Sequence, residues 1–156
     1  MKVYEALASA FHQLNLGTCF ALLGDANMHW AGKLSDLGGR FIYTRHEHAA
    51  VAAATAYARN SKKIGFATVT CGPGLTQIMT ILPIAVRAKV PIVLFVGEAP
   101  LHKEWYNQKI DQAPFVQACG AEYIPLHDSQ KIVTDAFNAI SRAARECKPV
   151  VLGVPF

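Results

Sequence analysis

Four cysteines, Cys19, Cys71, Cys119 and Cys147, lie far apart, and no C-x-x-C pair occurs among them. That spacing speaks against zinc ribbons and thioredoxin-like redox sites. With no signal peptide in view, the thiols are expected to be reduced and mostly buried in a cytoplasmic protein. No apolar run approaches the ~20 residues of a membrane helix, so no membrane association is expected. Charge is sparse: 15 basic and 11 acidic residues leave a formal +4, and no basic run is dense enough to track phosphates. Nucleic-acid binding is therefore not expected. The chain also lacks the Gly-Lys-Ser/Thr of a P-loop, an internal repeat and any low-complexity linker.

What is present is apolar. The 156 residues are 52% hydrophobic and 17% charged, a composition that folds and buries extensively, and a length that fits one domain, residues 1–156. Val3, Ala6, Leu7, Ala10, Phe11 and Leu14 recur at helical spacing, and Gly17 closes that pattern before "TCFALLG" reads as a buried strand. The alternation continues with a helix to about Leu37, strand "RFIYT", helix 46–59, strand "IGFATVT", helix 75–88 and strand "PIVLFVG". A loop from Glu98 to about Asp111 follows. A short helix, a strand near "AEYIPL", the helix "SQKIVTDAFNAISRAARE" and a last strand "PVVLGVP" complete the chain. Continuous apolar strands separated by helices predict a three-layer α/β/α domain on a six-stranded parallel sheet. Ligands of such sheets gather beyond the carboxyl ends of the strands. The segments to weigh are 24–27, 45–47, 71–74 and 98–112.

"TCGPGL" places Gly72 and Gly74 around Pro73, after a strand and at the start of a predicted helix. Glycine lets backbone approach a ligand closely, but Gln77 stands where a dinucleotide fingerprint needs its third glycine. Taken alone, the segment is more often a tight strand-to-helix turn. In "RHEHAA", His46 and His48 are two residues apart, whereas zinc-protease histidines are four apart, so no metal site is expected. Glu47 could serve simply as a favourable charge at a helix start. That does not account for the helix behind it, where Ala49, Ala50, Ala52, Ala53, Ala54, Ala56 and Ala58 are all small. Such a helix is expected to pack closely against a neighbouring element, another subunit or a cofactor. Gly24, Asp25 and Asn27 are ordinary turn residues, whereas Trp105, Tyr106, Asn107 and Gln108 form an aromatic and amide cluster in the longest loop.

In this order the segments resemble the N-terminal pyrimidine-binding domain of thiamine diphosphate enzymes of the acetolactate synthase and pyruvate decarboxylase group. "LLGDAN" resembles the family's first-strand turn, "RHEHAAVAAATAYAR" its R-H-E-x-A-A helix, and "VTCGPGLTQ" its T-x-G-P-G-x-x-N segment. "NQKIDQ" is similar to an F-Q-E-x-D-Q stretch, and "VPIVLFVGEAP" and "KPVVLGVP" to two of its strands. The resemblance implies that Glu47 is the catalytic glutamate, which hydrogen-bonds N1′ of the cofactor's aminopyrimidine and favours its imino tautomer. It further implies cofactor contacts at Gly24, Asp25, Thr70, Gly72, Pro73, Gly74 and Gln77, and a substrate side at Ala26 and Gln108.

Departures narrow the implied chemistry. Leu23 and Gly24 stand where many relatives have Pro-Gly, Ala26 where benzoylformate decarboxylases have a serine, and Thr70 replaces a histidine near the turn. Asn107 and Lys109 replace the Phe and Glu of F-Q-E. A 2-keto acid carboligase like acetolactate synthase is thereby favoured over a simple decarboxylase. The family's G-D-G…N-N motif, which binds Mg²⁺ and the diphosphate, is absent. The chain is therefore expected to be a fragment of a longer one, inactive alone and completed by the diphosphate-binding domain of a second subunit in a homodimer or homotetramer. The alternatives are a subunit of a split 2-keto acid decarboxylase, or a non-catalytic nucleotide-binding or regulatory α/β module.

Overall fold

The computed structural model describes residues 2–156. Six strands, β1 (Thr18–Ala21), β2 (Arg40–Tyr43), β3 (Gly65–Val69), β4 (Ile92–Glu98), β5 (Glu122–Pro125) and β6 (Val150–Pro155), form one sheet in the order β2-β1-β3-β4-β6-β5. Every pairing is parallel. Seven helices connect and cover it: α1 (Val3–Leu14), α2 (Met28–Asp36), α3 (Glu47–Ser61), α4 (Pro73–Thr76), α5 (Leu82–Arg87), α6 (Ala113–Ala118) and α7 (Ile132–Glu146).

Side chains alternate across the strands, so each inner strand feeds two cores. Phe66, Val93, Phe95, Val150 and Leu152 meet Leu7, Phe11, Trp30 and Ile140 of α1, α2 and α7. Ala67, Val69, Ile92, Leu94, Val96 and Val151 meet Val51, Ala54, Leu82 and Val116 of α3, α5 and α6. That is the three-layer architecture the apolar runs predict. On the first face Trp30 is fully buried, stacked on Phe95 with ring centroids 4.0 Å apart and edge-on to Phe11 and Phe66.

The helix expected over 75–88 is instead two short ones. Pro83 has no N–H for the Met79 carbonyl, and its ring collides with a carbonyl four residues back. The chain crosses this point by tight turns such as Met79 N–H to Thr76 O and Ile81 N–H to Ile78 O. The alanines of α3 have a partner inside the chain. A Cβ on Gly65 would lie 2.4 Å from the Ala54 carbonyl oxygen, so helix backbone rests on strand backbone. Ala50, Ala54 and Ala58 are buried in that seam, while Ala49 and Ala56 are exposed. Cys19, Cys71 and Cys119 are buried free thiols, and Cys147 is an exposed one.

Candidate functional site

β1 and β3 are neighbours whose connections leave in opposite directions, since β2 lies on one side of β1 and β4 on the far side of β3. The carboxyl ends of such a pair are where ligands of open α/β sheets bind. On the β1 side, buried Asn27 braces the loop: its side chain accepts from Gly24 N–H at 2.8 Å and donates to Leu22 O at 3.1 Å and Thr68 Oγ1 at 2.9 Å. Thr68 in turn donates to Phe95 O at 2.8 Å. The residue read as an ordinary turn former thus locks three strands together. Its signal, an amide just beyond a buried strand, is also common in plain turns.

The β3 side carries the Gly72–Gly74 turn. Gly72 holds φ +57° and ψ −108°, a conformation open to glycine, and a Cβ there would lie 1.9 Å from the Gln108 carbonyl oxygen. The long loop thus lies directly on the turn. Gly72 N–H donates to Gln112 Oε1 at 2.8 Å, Pro73 has no N–H, and Gly74 N–H donates to Cys71 O at 3.2 Å. Donors 72–74 are spent within the protein. Gly72 and Gly74 are buried and Pro73 is exposed, so the surface left toward α3 is the bare backbone of Gly74.

Glu47 faces that surface. It is the first residue of α3, after His46, whose Nδ1 accepts from His48 N–H at 3.1 Å and caps the helix. Its carboxylate is mostly shielded, with the side chain 16% exposed, and lies 3.9 Å from His46 Nδ1, too far for a hydrogen bond. Glu47 Oε1 is 3.7 Å from where a Gly74 Cβ would stand. Between the glycines, Thr70 Oγ1 is buried without a partner among the described residues and lies 2.9 Å from the place of a Gly24 Cβ. A carboxylate, an unpaired hydroxyl and a glycine-lined wall suit a flat, nitrogen-bearing ring.

The remaining sequence-derived residues are placed less uniformly. Gly24 and Thr70 touch, as do Thr70 and Gly74. Asp25, Pro73 and Gln77 are exposed at the rim. Ala26 is buried, with Gly97 of β4 giving it room: a Cβ on Gly97 would lie 2.2 Å from that of Ala26. Gln108 accepts from Cys71 Sγ at 3.4 Å, so the loop glutamine does lie over the turn. Burial raises the Cys71 thiol above its ordinary range, which keeps it a neutral donor. Trp105 is largely exposed and apart from these contacts. Gln112, absent from the sequence-derived site, ties the turn to β4 by donating to Gly97 O at 3.2 Å.

A parallel α/β domain with a carboxylate set against a glycine turn at its switch point is a cofactor-binding class of protein. The particular family is that of the thiamine pyrophosphate enzyme, N-terminal TPP binding domain; its model matches residues 1–115, and the chain belongs to it. Over 97% of its length the chain is 33% identical to 2-hydroxyacyl-CoA lyase 2 of Caenorhabditis elegans, covering 24% of that protein. It is 46% identical to the human 2-hydroxyacyl-CoA lyase 2 over 69% of the chain and 17% of the relative. With Arabidopsis thaliana chloroplastic acetolactate synthase it shares 35% identity over 99% of the chain and 24% of the relative. The chain thus spans about a quarter or less of these three relatives. Among the described residues no helix is long and apolar enough to cross a membrane.

Proposed function

We propose that this domain binds the aminopyrimidine end of thiamine diphosphate for an enzyme that makes or breaks a C–C bond beside the carbonyl of a 2-keto acid, as in acetolactate synthase. The observation that carries the reading is Glu47 Oε1, 3.7 Å from the Cβ position of Gly74. When bound, the cofactor supplies a centre that stabilises a carbanion next to a carbonyl. Glu47 holds and exchanges a proton at a pyrimidine ring nitrogen. Gly72 and Gly74 give the ring a flat seat, Thr70 Oγ1 offers it a hydrogen-bonding group, and Gly24, Asp25, Pro73 and Gln77 border it. Ala26 and Gln108 lie toward the substrate. Mg²⁺ and the diphosphate belong, on this reading, to a second domain contributed by another subunit of a cytoplasmic homodimer or homotetramer. The matches to 2-hydroxyacyl-CoA lyases support a second reading of the chemistry, cleavage of a 2-hydroxyacyl thioester.

Glu47→Gln tests the proton role in the complete protein. The amide keeps shape and hydrogen bonding but exchanges no proton, so hydrogen–deuterium exchange at C2 of the bound cofactor should slow by roughly 10² to 10⁴-fold. Circular dichroism should show an unchanged fold. Exchange within about threefold of wild type, in a folded protein, reduces Glu47 to a helix-end charge.

A further inference from the structure

Gln112 does more than fill space under the loop. It is 4% exposed, and both ends of its amide are engaged. Gly72 N–H can only donate and Gly97 C=O can only accept, so Oε1 must face the turn and Nε2 must face β4. Nε2 also donates to Tyr123 Oη at 3.0 Å. Tyr123 Oη donates onward to Glu98 Oε1, and His127 Nε2 meets Glu98 Oε2. From Gly72 to Glu98 every bond points the same way, donor to acceptor, ending on a carboxylate. Such chains polarise one another cooperatively. The glycine at 153 of β6 makes room for this chain: a Cβ there would lie 2.1 Å from Tyr123 Oη and 2.8 Å from Glu98 Oε1. Burial first, and the Glu98 hydrogen bond second, hold the Tyr123 hydroxyl well above the ordinary phenol range. It is thus a donor at neutral pH.

We propose that Gln112 is the positioning residue of the Gly72–Gly74 turn, and that Tyr123, held by Glu98, restrains its amide in the orientation that Gly72 and Gly97 select. Its bearing on catalysis rests on the cofactor reading above, because the held turn is the one Glu47 faces. Without the relay Gln112 keeps only the longer bond to Gly97 O, 3.2 Å, on that side, so its amide leaves Gly72 more often and Gly72 N–H opens to solvent.

Amide exchange at Gly72, followed by NMR in the 156-residue chain, reads this directly. Tyr123→Phe should speed Gly72 exchange about tenfold or more while amides of β3 and β4, such as Ala67 and Leu94, stay protected. Gly153→Ala, which pushes Tyr123 off Gln112 without removing a hydroxyl, should do the same and serves if Tyr123→Phe does not fold. Exchange at Gly72 within about threefold of wild type in either folded variant overturns the relay. The cofactor reading fails separately: Tyr123→Phe in the complete protein, with fast Gly72 exchange but wild-type affinity for thiamine diphosphate, would leave the relay standing and remove the turn from the cofactor site.

Discussion

The same substitution at two glycines should move stability in opposite directions. At Gly72 the backbone sits at φ +57° and ψ −108°, and holding an alanine there costs about 1–3 kcal/mol in strain. The added Cβ would stand 1.9 Å from the Gln108 carbonyl oxygen, so the loop must withdraw by at least about 1 Å to reach van der Waals contact. Withdrawal strains the Gly72 to Gln112 hydrogen bond, and a buried donor left unpaired costs another ~1–3 kcal/mol. The sum is roughly 2–6 kcal/mol, against a total stability for such domains of about 5–15 kcal/mol. Gly32 stands exposed in the middle of α2, and a Cβ there meets nothing within 4 Å. Alanine at that point should gain about 0.5–1 kcal/mol from helix propensity and a restricted unfolded chain. Urea unfolding followed by far-UV circular dichroism measures both, and equal slopes would show that the same surface unfolds. The reasoning is refuted if Gly72→Ala lies within about 0.5 kcal/mol of wild type, or if Gly32→Ala is the more damaging of the two.

Trp30→Ala empties a site under four aromatic rings and should cost about 3–5 kcal/mol in the same urea assay; a loss below about 1 kcal/mol would mean that the pocket collapses freely. Tyr123 has a folded pKa above its unfolded one, so its share of stability is whole below about pH 10 and is lost as pH rises beyond. Tyr123→Phe should therefore flatten the fall of the urea midpoint above about pH 10, leaving the part due to the likewise raised Cys19, Cys71, Cys119 and Tyr106; an unchanged slope counts against the assignment. Calorimetry on the 156-residue chain alone should show only weak binding of thiamine diphosphate, since the diphosphate contacts are assigned elsewhere. Binding tighter than about 1 μM that needs Mg²⁺ would overturn that assignment.

The inner strands were legible because burial on both faces leaves no polar alternation, and "IGFATVT" or "PIVLFVG" can hardly be anything else. Glu47 and the glycine turn were legible as local oddities, a carboxylate before an alanine run and a Pro between glycines. What escaped notice depends on contacts distant in sequence. The helix expected over 75–88 contains Pro83, whose missing donor splits it. Asn27 reads as an ordinary turn residue and Gln112 only as the last residue of "NQKIDQ", yet each is almost completely buried, at 1% and 4% exposure. Their partners lie 41 residues away at Thr68 and 40 residues away at Gly72. Periodicity reports burial of apolar faces; a buried amide whose partners come from segments distant in sequence leaves no periodic trace.

These two amides explain how a domain can present a carboxylate to a ligand while its loop backbone is satisfied internally. Asn27 closes β1 onto β3 and β4 through Thr68, and Gln112 closes the turn after β3 onto β4 and β5. The loop donors that would otherwise demand a ligand are thereby satisfied internally, Gly24 N–H by Asn27 and Gly72 N–H by Gln112. A glycine turn with spent donors is poorly suited to an anion, because phosphate sites rely on free N–H groups and positive helix ends. It suits a flat ring, which needs clearance and one or two directed polar groups. Thr70 Oγ1 and the Glu47 carboxylate are the groups left over. The chemistry of the wall therefore supports the pyrimidine end of the cofactor as its occupant over the diphosphate end, independently of the sequence resemblance.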